Sequence, residues 1–521
     1  MTSYTLNIKR DPQEDERDQK KIDRLIFLIF LAITVGVPLI VSAGIDSFYS
    51  PIIENEATFM SGYKGDLFAL HKSYIAITAT SIIVLLFLYK VIFLNYKIVH
   101  RSINWLMLMF GICIIIATVF SPYKTLALYG MPSRYDGAIM YLCYLLLFFI
   151  ATQITYPENS MRKIIYLFIP LVLINFVLTV MNFWHKDALE YPKFKKMITL
   201  FLPEGSGLGE GSQLVGTLNQ INYMSGSFAV ITILFLVTAM LEISIKRKIM
   251  FFIFSIISVA TMLMSMSTSG FVTLGLLLLL ILVLIFKSEQ RMKSFIIILV
   301  FIISATGLIP FLAQKNPLVW TESVGFFTTS NPFEVKESTA RIMDNLFIGP
   351  KVEASDNPDF KLPELPEAGY GPGSGRTYIW ERTIDLVMKR PFTGYGLDTL
   401  PFVFPQNEPE KHAQIGTYTV TVDKPHSMYI GVLFGTGTFG FIAFMGILGM
   451  SMLYGVSFLF KKGRIKGNSI YLTALLFAWA AYLLQSLFND TIVGTSLHMW
   501  IIGGIVTAKF LYDDSKNEIV A

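Results

Sequence analysis

Two polar segments bring together residue types that can hold a phosphate and move a proton. The first runs Arg376-Thr-Tyr-Ile-Trp380 and then Arg390-Pro-Phe-Thr-Gly394-Tyr-Gly396-Leu-Asp398; the second runs Asp423-Lys-Pro-His426-Ser-Met-Tyr429. A guanidinium stays charged at any working pH, and its planar fork bonds phosphate bidentately. An imidazole titrates near neutrality, so His426, at the mouth of an apolar stretch, can take a proton from a hydroxyl. On residue type and place alone, His426 reads instead as an interfacial histidine anchoring a helix end. The chain has six histidines. His71, His185 and His412 fall in polar connections, His100 in a basic one and His498 at the start of the last apolar stretch, and nothing around them singles them out. Acidic residues are plentiful in the polar segments, but no spacing marks a pair for glycoside hydrolysis; Asp46, Glu54, Glu56 and Asp66 leave room for a carboxylate base. Walker, HExxH and dinucleotide fingerprints are absent. Cys113 and Cys143 both sit inside apolar runs, so neither a disulfide framework nor a zinc site is expected. No cofactor and no metal are expected, and the energy of any transfer must come from an activated bond in the donor.

The elements that carry these segments are set by hydropathy. Of 521 residues 53% are hydrophobic and 15% charged, and the mean hydropathy is +0.57. A soluble globule of this composition is improbable; most of the apolar surface must meet lipid. Runs such as 25–45, 73–94 and 163–183 have the length of a helix crossing a bilayer, roughly 20 residues, and barrel strands would be half as long and alternate. Further spans are placed near 104–120, 137–155, 223–244, 249–266, 270–286, 294–314, 428–459, 469–488 and 496–512, about twelve in all. With the N-terminus inside, the connections at 90–101, 162–163, 246–248, 287–293 and 461–466 are cytoplasmic, and each is basic. The opposite turns at 265–270 and 488–496 contain no Lys or Arg, as the positive-inside rule requires. The expected organisation is a cytoplasmic tail over 1–24, nine transmembrane helices over 25–314, an extracytoplasmic loop subdomain over 315–427, three more helices over 428–512, and a cytoplasmic tail over 513–521. Within the loop, Thr377 to Lys389 reads as a helix over the membrane face, its apolar residues being Ile379, Trp380, Ile384, Leu386 and Val387. Pro391 stops it and Gly394-Tyr-Gly396 turns the chain. The basic residues form no stripe interleaved with aromatics, so nucleic acid is not an expected partner.

The ordered set of motifs resembles the O-antigen ligase and polymerase family. There, an Arg-x-x-x-Trp helix, a Pro-x-x-Gly-x-Gly turn, a His at the mouth of the next span and a Gly-rich start to that span occur in this order. Here the last element is Gly435-Thr-Gly437-Thr-Phe-Gly440. Phe120-Ser-Pro with Gly130 to Arg134 and Gly137 is similar to the family's outer loop between its third and fourth spans. Gly216-Thr-Leu-Asn219-Gln-Ile-Asn222-Tyr and Gln485-Ser-Leu-Phe488 fit further family segments. One departure stands out: many members carry Ser-Arg-Gly between the seventh and eighth spans, where this chain has Ser267-Thr-Ser-Gly270.

The resemblance implies an all-α polytopic membrane protein of C-type glycosyltransferase-like architecture, in a bacterial cytoplasmic membrane with both termini inside. It implies a polyprenyl-diphosphate-linked glycan as donor, a glycan or lipid-glycan as acceptor, the bilayer as environment, other polysaccharide-assembly proteins as neighbours, and metal-independent polymerisation or ligation at the outer leaflet. Under that reading Arg376 and His426 are the catalytic pair: the cation stabilises the departing diphosphate and the imidazole serves the acceptor hydroxyl. Arg134 is a further diphosphate candidate, with Arg382, Arg390 and Arg341 as weaker ones; the alternative for each is a snorkelling or surface arginine. Asp398 orients an arginine or a sugar hydroxyl, or else caps backbone N–H groups. Tyr429, one turn beyond His426, lines the same face or is an interfacial aromatic. Asn219 and Asn222 contact the substrate or cap a helix. Two other classes compete: a twelve-helix secondary transporter, against which the nearly charge-free spans and lack of a repeat argue, and a non-catalytic assembly scaffold.

Overall fold

A computed structural model of the chain describes residues 12–52, 59–208, 212–328, 331–333, 375–415 and 420–518. It is mostly helical. Helices occupy each place where a span is expected: α1 (Pro12–Leu39), α2 (Leu70–Phe93), α3 (Ser102–Val119), α5 (Ala138–Gln153), α6 (Ser160–Phe183), α8 (Ile221–Leu241), α9 (Ile245–Met264), α10 (Thr268–Lys287), α11 (Arg291–Ala313), α15 (Met428–Lys461), α16 (Asn468–Gln485) and α17 (Val493–Glu518). Shorter helices fill the connections: α4 (Lys124–Tyr129), α7 (Pro192–Ile198), α12 (Leu318–Thr321), α13 (Arg376–Lys389) and α14 (Pro409–Ile415). Among the described residues nine helices are long and apolar enough to cross a membrane; α5 is apolar but shorter, and α16 and α17 are not among the nine. Those two can be less lipophilic because the bundle covers them: α16 is buried on nearly every side, and Trp479 of α16 meets Trp500 of α17 edge to face at 6.2 Å. α8 is the hub. Every residue from Tyr223 to Leu241 is buried, as befits a helix that is apolar all round, and α9, α10 and α16 pack around it.

Two features depart from the hydropathy reading. The first helix begins at Pro12, inside the stretch expected to be a tail. Its polar residues find partners across the bundle end: Lys90 of α2 pairs with buried Asp23 at 2.6 Å, Asn95 donates to Asp15 at 3.0 Å, and Gln19 donates to the Leu94 carbonyl at 2.6 Å. The chain is also not wholly helical. β1 (Gly44–Phe48) and β2 (Gly62–Asp66) form an antiparallel pair in the segment between α1 and α2, with Gly44 opposite Asp66. The expected loop helix is present as α13, but the residues it buries are Tyr378, Ile379, Thr383, Leu386 and Val387, while Ile384 is exposed. Its apolar face closes a small core with Tyr395, Leu400, Phe404, Val422 and Phe434, so the loop segment packs on the start of α15.

That packing rests on a broken helix. Within α15, Gly437 adopts φ 71 and ψ −177, interrupting the helical hydrogen bonds. The carbonyls of Phe434 and Gly435 accept instead from Tyr395 and Gly396 N–H, both at 3.0 Å, and Thr438 N–H donates to Pro391 at 2.7 Å. Groups orphaned by the break are thus satisfied by the Pro391–Gly396 turn, the condition under which irregular backbone survives at membrane depth. A side chain at Gly394 would put its Cβ 2.7 Å from the Phe434 and Gly435 oxygens, so only glycine lets the two strands of backbone approach.

Candidate functional site

The turn seated in the α15 break delivers Asp398, whose carboxylate is buried at the centre of a charge cluster. Asp398 accepts from the Met131 N–H at 2.7 Å and from Arg134 Nε at 3.2 Å. Arg134 also pairs with Asp423. The next residue, Lys424, reaches Asp136 at 2.9 Å and the Thr491 carbonyl at 3.1 Å, and Thr491 in turn donates its hydroxyl to Asp136. Three connections are tied together in this way: 130–137 before α5, 423–427 before α15 and 486–492 before α17. Burial works against the Arg134 charge, but Asp398 and then Asp423 hold its pKa above the ordinary arginine value. Burial pushes the Asp136 carboxyl up, opposed by the Lys424 ammonium. The cavity between these groups measures about 30 Å³, room for little more than a water. Arg134, placed by sequence among the diphosphate ligands, is therefore already committed to two carboxylates. Asp398 pairs with an arginine and accepts from a backbone N–H.

His426 stands at the edge of this cluster. Its φ of 52 is left-handed, a conformation that strains a side-chain-bearing residue and persists only where the surroundings fix it. Here Asp490 fixes it: the carboxylate receives His426 Nδ1 at 3.1 Å and the Ser427 N–H at 3.1 Å. A carboxylate can only accept, so Nδ1 carries the proton and Nε2 is left to accept one. Burial disfavours the imidazolium, yet the hydrogen bond and charge of Asp490, with Asp423, hold His426 above the usual histidine value. Burial opposes the Asp490 charge as well, and His426, Lys424 and Arg134 keep that carboxyl below its ordinary value.

Arg376 opens α13, and Trp380, one turn on, donates its indole N–H to the Pro425 carbonyl at 2.7 Å. The same helical face therefore carries Arg376 to the His426 segment, and the charges of Arg376, His426 and Asp490 act on one another. The guanidinium is half-buried, and its Nε has no hydrogen-bond partner among the described residues. Burial holds its pKa below the ordinary arginine value, partly offset by Asp490 and Glu322. Such a cation gains from any anion that reaches it.

The other candidates divide. Asn222 accepts from Ser267 at 2.7 Å, and Ser267 contacts Ser269 at 3.2 Å; Asn489 donates to Ser269 at 3.3 Å. Hydroxyls and amides thus surround the Ser267-Thr-Ser-Gly270 segment. Thr268 of that segment donates to Glu322, the same carboxylate whose charge acts on Arg376. Asn219 has φ 80 and lies just outside α8. Nearby, Lys72 is buried and donates to the Thr217 carbonyl at 2.5 Å. Arg382 faces Asp385 at 3.4 Å and lies 5.5 Å over the Tyr378 ring. Arg390 donates to the Phe120 carbonyl at 3.3 Å and lies 5.0 Å over Tyr395. Arg382 is thus a tie within the loop, and Arg390 ties the loop to the end of α3. Tyr429 gives its hydroxyl to the Leu483 carbonyl at 2.8 Å, a helix-to-helix bond. Arg341, Glu54 and Glu56 lie outside the described residues.

Residues 253–445 match a family described as O-antigen ligase. The match supports that family. The stretch characteristic of the O-antigen ligase family begins in α9, takes in Arg376, Asp398 and His426, and ends just beyond the Gly437 break. No curated protein matches the chain. A chain with several helices long and apolar enough to cross a membrane is consistent with that similarity. Asp490, outside the matched stretch, was not singled out from sequence, although it is the charged residue in an otherwise neutral turn. Lys424 and Asp423 were legible inside the quoted motif, but nothing in their spacing said that they bind Asp136 and Arg134.

Proposed function

We propose that this chain is a membrane glycosyltransferase that polymerises or ligates a polyprenyl-diphosphate-linked oligosaccharide on the outer side of a bacterial plasma membrane. The bundle is read as twelve spans in a C-type arrangement, with both termini inside, and the reaction as independent of a metal. The observation that carries the proposal is the meeting of a half-buried guanidinium with an unpartnered Nε and an imidazole held in one tautomer by a carboxylate. In the reaction, the acceptor hydroxyl oxygen attacks the anomeric carbon of the donor. The bond from that carbon to the carrier diphosphate breaks, and the electron pair leaves with the diphosphate. Arg376 faces the negative charge that develops, while His426 Nε2 takes the hydroxyl proton and Asp490 stabilises the imidazolium. Arg134 and Lys424 brace the segment that presents His426, and Asp398 joins them. Other assembly proteins would supply donor and receive product.

The test is a reconstituted assay with polyprenyl-diphosphate oligosaccharide, with and without chelator. Arg376→Ala and His426→Ala should each lower turnover by roughly a hundredfold or more and leave the lipid-linked donor unconsumed. Transfer at wild-type rate by both variants refutes the site, and loss of transfer on adding chelator refutes metal independence.

A further inference from the structure

At the end of the bundle away from His426 a second cavity opens, of about 520 Å³, within the range of roughly 300–1,000 Å³ usual for small-molecule sites. α15 runs from the His426 segment to this end, and Lys462 follows its last turn. Lys462, Lys466 and Lys509 line the cavity, with Glu158 the one carboxylate among the described residues of its wall. Two helix starts contribute to the wall: α6 at Ser160 and α16 at Asn468 and Ser469, neither capped by a side chain. The positive ends of these two helix dipoles add to the field that the three lysines set up. The inner wall is apolar, formed by Met161, Phe458 and Leu472. An adjoining cavity of about 300 Å³ shares Tyr156 and Lys509 and brings in Arg101. Lys509 Nζ lies 5.4 Å over the Tyr156 ring and Lys462 Nζ 5.4 Å over Phe458, so aromatic faces locate two of the ammonium groups.

A simple positive-inside loop needs basic residues but no chamber. Cations around a space of this size, with polar helix starts on one wall and an apolar wall behind, match a phosphate carrying an apolar substituent. We propose that this cavity binds the phosphodiester headgroup of an anionic phospholipid, its acyl chains lying along the apolar wall. The site is distinct from the glycan-transfer site and does not depend on that reading.

The full-length protein, purified in detergent, would be titrated with phosphatidylglycerol or phosphatidylcholine and bound lipid counted by native mass spectrometry. Inorganic phosphate would serve as competitor. The expected result is preferential retention of phosphatidylglycerol, reduced at least tenfold in a Lys462→Gln/Lys466→Gln/Lys509→Gln variant. A single Lys466→Glu variant, altering an exposed side chain, should reduce it in the same direction and guards against misfolding of the triple variant. Displacement by millimolar inorganic phosphate would identify free phosphate as the occupant and overturn the lipid assignment. Equal retention of phosphatidylglycerol by wild type and both variants would overturn the site itself.

Discussion

The imidazole of His426 is useful only while it can accept a proton, and the groups around it decide at what pH that is. Asp490 raises its pKa through a hydrogen bond and through charge, against a burial effect of opposite sign. If His426 is the base, kcat/KM must fall on the acid side as the ring becomes protonated, with a midpoint above the ordinary histidine value. Asp490→Asn removes the charge, so the acid limb should move to lower pH, with the maximal rate down about tenfold or more because the imidazolium loses its partner. A pH profile of transfer measures both, and an unmoved acid limb would separate the dyad from the chemistry. Arg376 makes a different demand. A lysine keeps its charge but not the planar fork, so Arg376→Lys should recover only a small part of what Arg376→Ala loses. Full recovery, read as kcat, would mean that a point charge suffices. Of this site, His426 and Arg376 were legible because a motif and a helix face mark them. Asp490 was not, because its partner lies 64 positions away in sequence and only the packing of α15 against α17 brings the two together.

Among the elements, α15 decides whether the site is assembled. Hydropathy reads 428–459 as a single continuous span, and no charged residue interrupts it at the break at Gly437. Nothing in such a pattern discloses that backbone bonds at 434–438 are traded with a turn from the preceding loop, since carbonyls and N–H groups carry no sequence signal. Glycine was the visible trace, in Gly435-Thr-Gly437 and in Gly394-Tyr-Gly396. A Cβ at Gly437 would come within 2.5 Å of the Phe392 oxygen, on top of about 1–2 kcal/mol for a side-chain-bearing residue in the left-handed region. Gly437→Ala should therefore destabilise the protein by about 2 kcal/mol or more and lower transfer by displacing the Asp398 turn, while Gly449→Ala, with open space at its Cβ, should do neither. Thermal melting in detergent together with activity separates the two. The remaining misses follow the same logic. The start of α1 escaped a hydropathy reading because Asp15, Gln19 and Asp23 look like solvated tail until Asn95, Leu94 and Lys90 are seen opposite them. The β1–β2 pair is two five-residue strands in a Gly-bearing, polar segment, too short for alternation to declare it.

For the molecule as a whole, the question is which end faces which compartment. The helices alternate in direction, so the connections divide into two sets. One set gathers Lys461, Lys462, Arg464 and Lys466 at the C-terminal end of α15; the other carries the Asp398–His426 cluster and α13. The proposed orientation rests on the rule that basic residues remain on the cytoplasmic side during insertion; it would put the cluster and α13 outside, where a lipid-linked glycan would be presented. The two ends also differ in chemistry: carboxylates pair with Arg134 and Lys424 at one, and lysines and aromatic rings line the cavity at the other. Orientation can be measured with exposed positions at each end. In a chain whose Cys113 and Cys143 are replaced by Ala, Glu410→Cys should react with a membrane-impermeant maleimide in intact cells, and Arg464→Cys only after the membrane is opened. The reverse pattern would turn the molecule over and place the His426 site in the cytoplasm, out of reach of any outer-leaflet donor. Labelling of both in intact cells would mean that α15 does not span, which would remove the frame on which the site is built.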